Sequence, residues 1–406
     1  MRRSTICLAP GVLCPRQHEQ EIVYGMEKNS YHVRAHRVIS LLIVFLFSTC
    51  LAVAQQANLE TQPPILVHGN AQAGIVGTVP SQILHAYGFD QVTNQGAGQT
   101  IGIVDAYKNP RIENDLAVFS QAFGLPACSS ANGCFKTIQV GGHDPGTKTL
   151  WALEEALDVE WVHAIAPRAN ILLVEAQSAK LSDMLQGVDV AVQNGATVVS
   201  MSWGTPEFST ESNFDSHFIA PHVTFVAASG DFGNPGFYPA ASPIVIGVGG
   251  TTLSADALGN YNGETAWSGS GGGISPYELQ PGFQNVKSSG MRGIPDVAYN
   301  ADPNTGFAVY TSTPYQGFGG WVQVGGTSAA APQWAALIAI ANAMNNGPSL
   351  GTIDVLYKLY GATPAFHDIT SGTNGTCGSI CTAGAGYDFV TGLGSPIVPG
   401  IVNALH

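Results

Sequence analysis

The sequence predicts an α/β domain built on a doubly wound, mainly parallel β-sheet flanked by helices. Three observations carry this expectation. Runs at 99–106, 171–175, 197–201, 223–228 and 244–248 are nearly continuous in apolar and β-branched residues, as strands buried on both faces are. Stretches of helical spacing lie between several of them, which calls for crossovers rather than hairpins. Residues with chemistry to offer gather where the runs end: Asp105, Ser202-Trp203-Gly204 and Asp231. Open α/β sheets bind ligands at the carboxyl ends of their strands, so a single cleft is expected to collect them.

Taken in order, the chain opens with Val38–Val53, an apolar stretch preceded by Arg34, His36 and Arg37 and closed by Ala52-Val53-Ala54. That is the form of a signal peptide cut after Ala54. The upstream residues are long for such a leader, and a start at Met26 is expected. Residues 55–80 are polar and dotted with Pro and Gly and read as a linker, leaving 81–406 as the domain. Helices are expected over Pro80–Tyr87, Ile112–Phe123, Trp151–Ile165 and Leu181–Gln193, from their apolar spacing. Gly269–Gly273 reads as a flexible loop and not a phosphate cradle, because no Lys-Ser/Thr follows. The apolar Trp321–Val324 runs into Gly325-Gly326-Thr327-Ser328, and a helix beginning at Thr327–Ser328 is expected to reach Met344.

Without residues 1–54 the chain keeps 9 basic and 25 acidic residues. So acidic a surface argues against nucleic acid or an anionic membrane as partner. A secreted or periplasmic monomer with no stable membrane association is the expectation. Cys7, Cys14 and Cys50 fall in the leader, and Cys128/Cys134 and Cys377/Cys381 form two close pairs. After a signal peptide two local disulfides are the simplest reading, with a four-cysteine zinc site as the alternative, although neither half has C-x-x-C spacing.

Ser328 at a helix start sits on exposed backbone amides, in a field that favours a developing negative charge. It needs a base. Neither H-G-T-H nor H-E-x-x-H occurs, and His163, within Ala-Ile-Ala-Pro, reads as packing. Carboxylates are the remaining acceptors. Glu154 and Asp158 are four apart and share a helical face, flanked by Trp151, Leu157 and Trp161. Glu155 and Glu160 read as a solvated face of the same helix.

Together these motifs resemble the sedolisins, the serine-carboxyl peptidases, over roughly residues 80–405. Glu154-x-x-x-Asp158 is similar to their helical acid pair, Gly326-Thr327-Ser328-Ala329-Ala330-Ala331-Pro332 to their nucleophile motif, and Ser229-Gly230-Asp231 to their oxyanion segment. Ser200–Gly204, Tyr238–Pro243 and Val248–Thr252 also match. The resemblance implies a subtilisin-like three-layer fold and a secreted, acid-acting endopeptidase on protein or peptide substrates. In it Ser328 is the nucleophile, Glu154 its base, Asp158 the partner of Glu154, and Asp231 the oxyanion donor. Asp105 is a further acidic residue, Trp203 its buttress, and Trp267–Ser275 a substrate-lining segment. It also implies one Ca2+ bound by the Asp368 and Asp388 side chains and the carbonyls of Ile369, Gly384 and Gly386. Two features depart from the family: about 26 residues between Ala54 and the domain are too few for a large prodomain, and Phe232 follows Asp231 where many members have serine. Asn374-Gly375-Thr376 is a glycosylation sequon. The rival readings are an inactive binding protein on the same fold, an exopeptidase of tripeptidyl-peptidase type, and a serine esterase, for which G-x-S-x-G is missing.

Overall fold

A computed structural model describes residues 59–406, apart from 287 and 346. The expected signal peptide and the start at Met26 lie outside the described residues. Eleven strands frame the site: β1 (Leu66–Gln72), β2 (Thr100–Ala106), β3 (Phe135–Gln139), β4 (Asn170–Ala176), β5 (Val198–Met201), β6 (Thr224–Ala228), β7 (Ile246–Ala255), β8 (Tyr261–Ala266), β9 (Val297–Asn300), β10 (Phe307–Tyr315) and β11 (Phe318–Gly325). The helices are α1 (Pro80–Tyr87), α2 (Ile112–Phe123), α3 (Thr149–Ile165), α4 (Leu181–Gln193), α5 (Thr327–Met344), α6 (Thr352–Tyr360) and α7 (Val398–Leu405). The central sheet runs β8-β7-β6-β5-β2-β4-β3, with β9 added on β7. Every pairing in it is parallel except β8 with β7. The doubly wound expectation is thus met, and the reason is visible in β4. Ile171 and Leu173 enter one core, with α2, α3, α5 and α7, while Leu172 and Val174 enter a second core beneath α4. A strand feeding two cores has no polar face, hence the unbroken apolar runs.

The structure differs from the sequence reading in four places. Residues 59–80 are built into the fold instead of linking it: Leu66–Gln72 pairs antiparallel with Phe318–Gly325 in a sheet β1-β11-β10. Its side chains alternate weakly, and only the partner strand reveals it. Glu155 and Glu160 are buried, not solvated, because α3 is enclosed by the sheet, α2, α5 and β10. Asn109 N–H donates to Glu155 Oε2 at 3.0 Å, and Tyr310 N–H to Glu160 Oε2 at 3.0 Å. Gly269–Gly273 is packed: a Cβ on Gly271 would lie 2.0 Å from Ser229 O, so glycine is needed there for close approach. The sequon Asn374 is buried and donates through Nδ2 to Ser270 O at 2.8 Å, so the fold does not present it. Both expected disulfides, Cys128–Cys134 and Cys377–Cys381, are formed.

Candidate active site

Helix α5 starts where β11 ends. Gly326 caps it at φ 118°, a left-handed value that disfavours other residues, and Gly326 N–H is held by Ala301 O at 2.6 Å. Ser328 is therefore the second helical residue, with its amide among the unpaired donors of the first turn. Those donors are spoken for: Thr327 N–H donates to Asp231 Oδ1 at 2.8 Å, and Ser328 N–H to Pro64 O at 3.3 Å. Pro332, inside the helix, has no N–H for the carbonyl four residues earlier, which is that of Ser328. The freed carbonyl faces the Ser202 hydroxyl at 3.2 Å. That hydroxyl also donates to Asp158 Oδ1 at 2.9 Å, so Ser202 bridges the nucleophile's helix and the acid pair.

Glu154 and Asp158 are fully buried on α3, with the Ser328 hydroxyl beside Glu154 and the Ser202 hydroxyl on Asp158. Both Glu154 oxygens and Asp158 Oδ2 are buried without a hydrogen-bond donor. Burial raises the Glu154 pKa well above the carboxyl range, and the charges of Asp158 and Asp105 raise it further; the neighbouring Ser328 hydroxyl offsets a little. For Asp158, burial and then Asp105 raise it, while the hydrogen bond from Ser202 pulls it back. A pair so arranged titrates as a unit and holds a proton at pH values where isolated carboxyls are ionised.

Asp105, at the end of β2, has two buried oxygens without donors, and its pKa is raised by burial and by Glu175, its register partner on β4. The Trp203 indole N–H donates to Val104 O at 2.9 Å, so Trp203 braces the backbone before Asp105 and not the carboxyl itself. Behind Asp105 lie Glu155 and Glu175, both accepting from Asn109 N–H. Asp231 accepts on Oδ1 from Thr327 N–H and, at 2.9 Å, from Thr327 Oγ1–H, while Oδ2 is buried and unpaired. A Cβ on Gly326 would meet Asp231 Oδ2 at 2.6 Å and Pro64 O at 2.1 Å, so both oxygens crowd one point beside Ser328. Burial pushes the Asp231 carboxyl up to about 8 against the Thr327 hydrogen bonds. Phe232 is exposed and packs on Phe237, leaving that carboxyl in place. His163, on the same helix as the acid pair, faces Pro126 O at 2.8 Å; it is packing, as its sequence context implies.

The sequence reading missed Ser202 as a bridge, Thr327 as the brace of Asp231, and Pro64 altogether. Ser202 was signalled by its place at the end of a buried strand. Thr327 and Pro64 carry no sequence signal, since their roles arise from contacts across 96 and 264 positions.

The expected calcium residues come together at the loop 384–388. Gly386 N–H lies 3.1 Å from both Asp368 oxygens, and Asp388 accepts from the Gly384, Val390 and Thr391 amides. Among the described residues neither carboxylate has a basic partner, and the carbonyls of Ile369, Gly384 and Gly386 accept no hydrogen bond. Two unneutralised carboxylates beside free carbonyls fit a hard cation.

Buried carboxyls reach beyond the cleft. Burial pushes Glu211 up to about 9, Glu278 to about 7 and Asp215 to about 6. Raised folded values mean stability that is complete below the ordinary carboxyl range and is lost as pH climbs through them. The melting temperature is therefore expected to fall steadily between about pH 5 and pH 9. A calorimetric series with a flat or rising trend would contradict it.

Comparison with known proteins places the chain in a family. The model of the subtilase family matches residues 139–354. Kumamolisin of Bacillus sp. (strain MN-32) is 34% identical over 365 residues, covering 80% of this chain and 63% of that protein. Sedolisin of Pseudomonas sp. (strain 101) is 30% identical over 342 residues, 74% of this chain and 56% of that one. Tripeptidyl-peptidase 1 of Rattus norvegicus is 30% identical over 347 residues, covering 72% and 57%. The chain thus spans between about half and two thirds of the length of the curated relatives it matches. Among solved structures, Pseudomonas sedolisin, a serine-carboxyl proteinase complexed with two molecules of pseudo-iodotyrostatin, superposes with a TM-score of 0.68 at 28% identity, covering 82% of this chain and 98% of that one. On these matches the chain belongs to the subtilase family, within its sedolisin group of serine-carboxyl peptidases.

Proposed function

We propose that the protein is a secreted, acid-acting serine-carboxyl endopeptidase. The observation that carries this reading is the convergence on Ser328 of a buried carboxyl pair on one side and the unpaired Asp231 Oδ2 on the other. Ser328 Oγ attacks a peptide carbonyl and passes its proton to Glu154. Asp158 shares the proton load and Ser202 holds Asp158 in place. The oxyanion takes hydrogen bonds from Ser328 N–H and from protonated Asp231. Collapse expels the amine, which takes the proton back from Glu154, and water then hydrolyses the ester by the same route.

Endopeptidase action is favoured over the tripeptidyl-peptidase reading by the shape of the cleft. Residues 59–63 run along it beyond Pro64, and Leu59 O still accepts from Leu181 N–H at 2.7 Å. Main-chain pairing that continues to Leu59 supports binding of more than three residues on that side of Ser328. Incubation with casein at acid and neutral pH, beside Ser328→Ala, tests the proposal. Acid-dependent peptide release that disappears in the variant is expected. A folded protein that releases nothing at any pH would favour the inactive binding protein.

Calcium is proposed as structural. Asp368, Asp388 and the carbonyls of Ile369, Gly384 and Gly386 would hold it, and it would supply the positive charge that ties loop 384–388 to the core. Binding to the folded state alone stabilises by about 2.7 kcal/mol at a hundredfold excess over Kd. A chelator is thus expected to lower the melting temperature of wild type but not of Asp368→Ala. Equal responses would remove the assignment.

A further inference from the structure

We propose that Cys128, Cys134 and His163 form a binding site for a zinc ion, filled when a thiol reductant opens the disulfide between the two cysteines. The four-cysteine zinc reading of the sequence is not met, because each close pair is bonded within itself. The first pair, however, has a third metal ligand beside it. Both sulfurs and a ring nitrogen of His163 lie within 4.8 Å of one another, where the last turn of α3 meets the loop between α2 and β3. Cys128 and His163 are buried, while Cys134 is half-buried and leaves a way in from the surface. The second pair has no such neighbour among the described residues.

The imidazole is already in the tautomer a ligand needs. Its Nε2 lies 2.8 Å from Pro126 O, and a carbonyl oxygen only accepts, so Nε2 carries the proton. The lone pair is then on Nδ1, which is buried and has no hydrogen-bond partner among the described residues. Metal-binding histidines are commonly oriented by such a bond from the other ring nitrogen to a backbone carbonyl. In the oxidised chain the ring packs and its lone pair goes unused. The loop also keeps its shape without the disulfide. Asn132 Oδ1 accepts from the Ser129 and Cys134 N–H groups, Asn132 Nδ2 donates to Ala127 O at 2.8 Å, and Ser130 N–H and Oγ–H are held by Glu113. The two cysteine Cα atoms, 5.0 Å apart, thereby stay close enough for both sulfurs to reach one ion, at zinc–sulfur distances of about 2.3 Å. A dithiol passes two electrons and two protons to the disulfide and itself becomes a cyclic disulfide, leaving two cysteine thiols. Binding of Zn2+ then releases both thiol protons. Two thiolates and a neutral imidazole make the filled site uncharged, as a buried site requires, and water takes the fourth position.

The test reduces the full chain anaerobically with a phosphine, removes the reagent and titrates Co2+ as the probe. One equivalent is expected to raise thiolate-to-cobalt charge-transfer absorption, and Zn2+ to displace it, as its higher place in the affinity order requires. The carboxylates of Asp368 and Asp388 have no sulfur to give that band, and the unreduced chain should show none. His163→Gln keeps a donor for Pro126 O but loses the lone pair. Its Co2+ affinity is expected to fall by more than about tenfold, the least that loss of an outer-shell partner costs. Cys377→Ser/Cys381→Ser should bind as wild type does. Should His163→Gln fold poorly, melting temperature decides: Zn2+ is expected to raise it in reduced wild type and not in reduced Cys134→Ser. A band as strong in folded His163→Gln as in wild type, or a band lost with Cys377 and Cys381, would overturn the proposal. So would a reduced wild type that gives no band or gains no thermal stability from Zn2+.

Discussion

Glu154→Gln is expected to cost about 10² to 10⁴-fold in kcat, the range that loss of a positioned general base carries. An amide of the same shape fills the site but cannot accept the serine proton, so folding should survive while the chemistry does not. Ser328→Ala should be at least as severe, since no covalent route remains. The hydroxyl it removes makes one hydrogen bond, to Pro64 O, so the stability cost is only about 1 kcal/mol. Asp158→Asn should fall between wild type and Glu154→Gln, because it removes the partner that shares the charge but leaves the acceptor. Circular dichroism must show native folding in each case before rates are compared. A well-folded Glu154→Gln enzyme with near-normal kcat would sink the assignment of the base.

The second large effect is on the pH profile. Asp231 is neutral below its folded pKa, which burial places at about 8 with the cleft filled. Neutral, it donates a hydrogen bond from Oδ2 to an oxyanion. Ionised, it only accepts and repels the same charge. Water entering with substrate lightens the desolvation and moves the value down, toward the ordinary carboxyl range. kcat/KM is therefore expected to decline as pH rises, with its alkaline limb at or below about pH 8, and to decline on the acid side only when the Glu154–Asp158 pair takes up its last proton. Asp231→Asn keeps a neutral donor, so its alkaline limb should flatten even if its absolute rate drops. A histidine base would give the opposite limb, losing activity as the imidazole protonates. A wild-type optimum above neutral pH, or an unchanged limb in Asp231→Asn, would refute this account.

Much of the molecule was legible in the residues. The apolar runs announced a sheet covered on both faces because each strand serves two cores, and alternation has no place in such a strand. Helix α2 and helix α4 were legible to the residue because their apolar stripes repeat along a surface that is half exposed. Ser328 and Asp231 drew notice by their places at a helix start and a strand end, and Glu154 and Asp158 by their spacing, but their roles came from the resemblance to the sedolisins.

Other features depended on contacts between distant parts of the chain. Glu155 and Glu160 look like solvent-facing charges on any helical wheel, and only the packing of α2, α5 and β10 around α3 buries them. Gly269–Gly273 reads as freedom in the sequence and is close approach in the fold, because Ser229 O occupies the space a side chain would need. Residues 59–72 show no period, since a strand added to an existing edge takes its order from the partner's backbone groups and not from its own side chains. Residue type and local spacing were enough for the layers and the chemical inventory of the cleft, because burial is written in them. Tertiary structure alone decided that Pro64 lies on Ser328, because main-chain hydrogen bonds are made by every residue alike and leave no mark in the sequence.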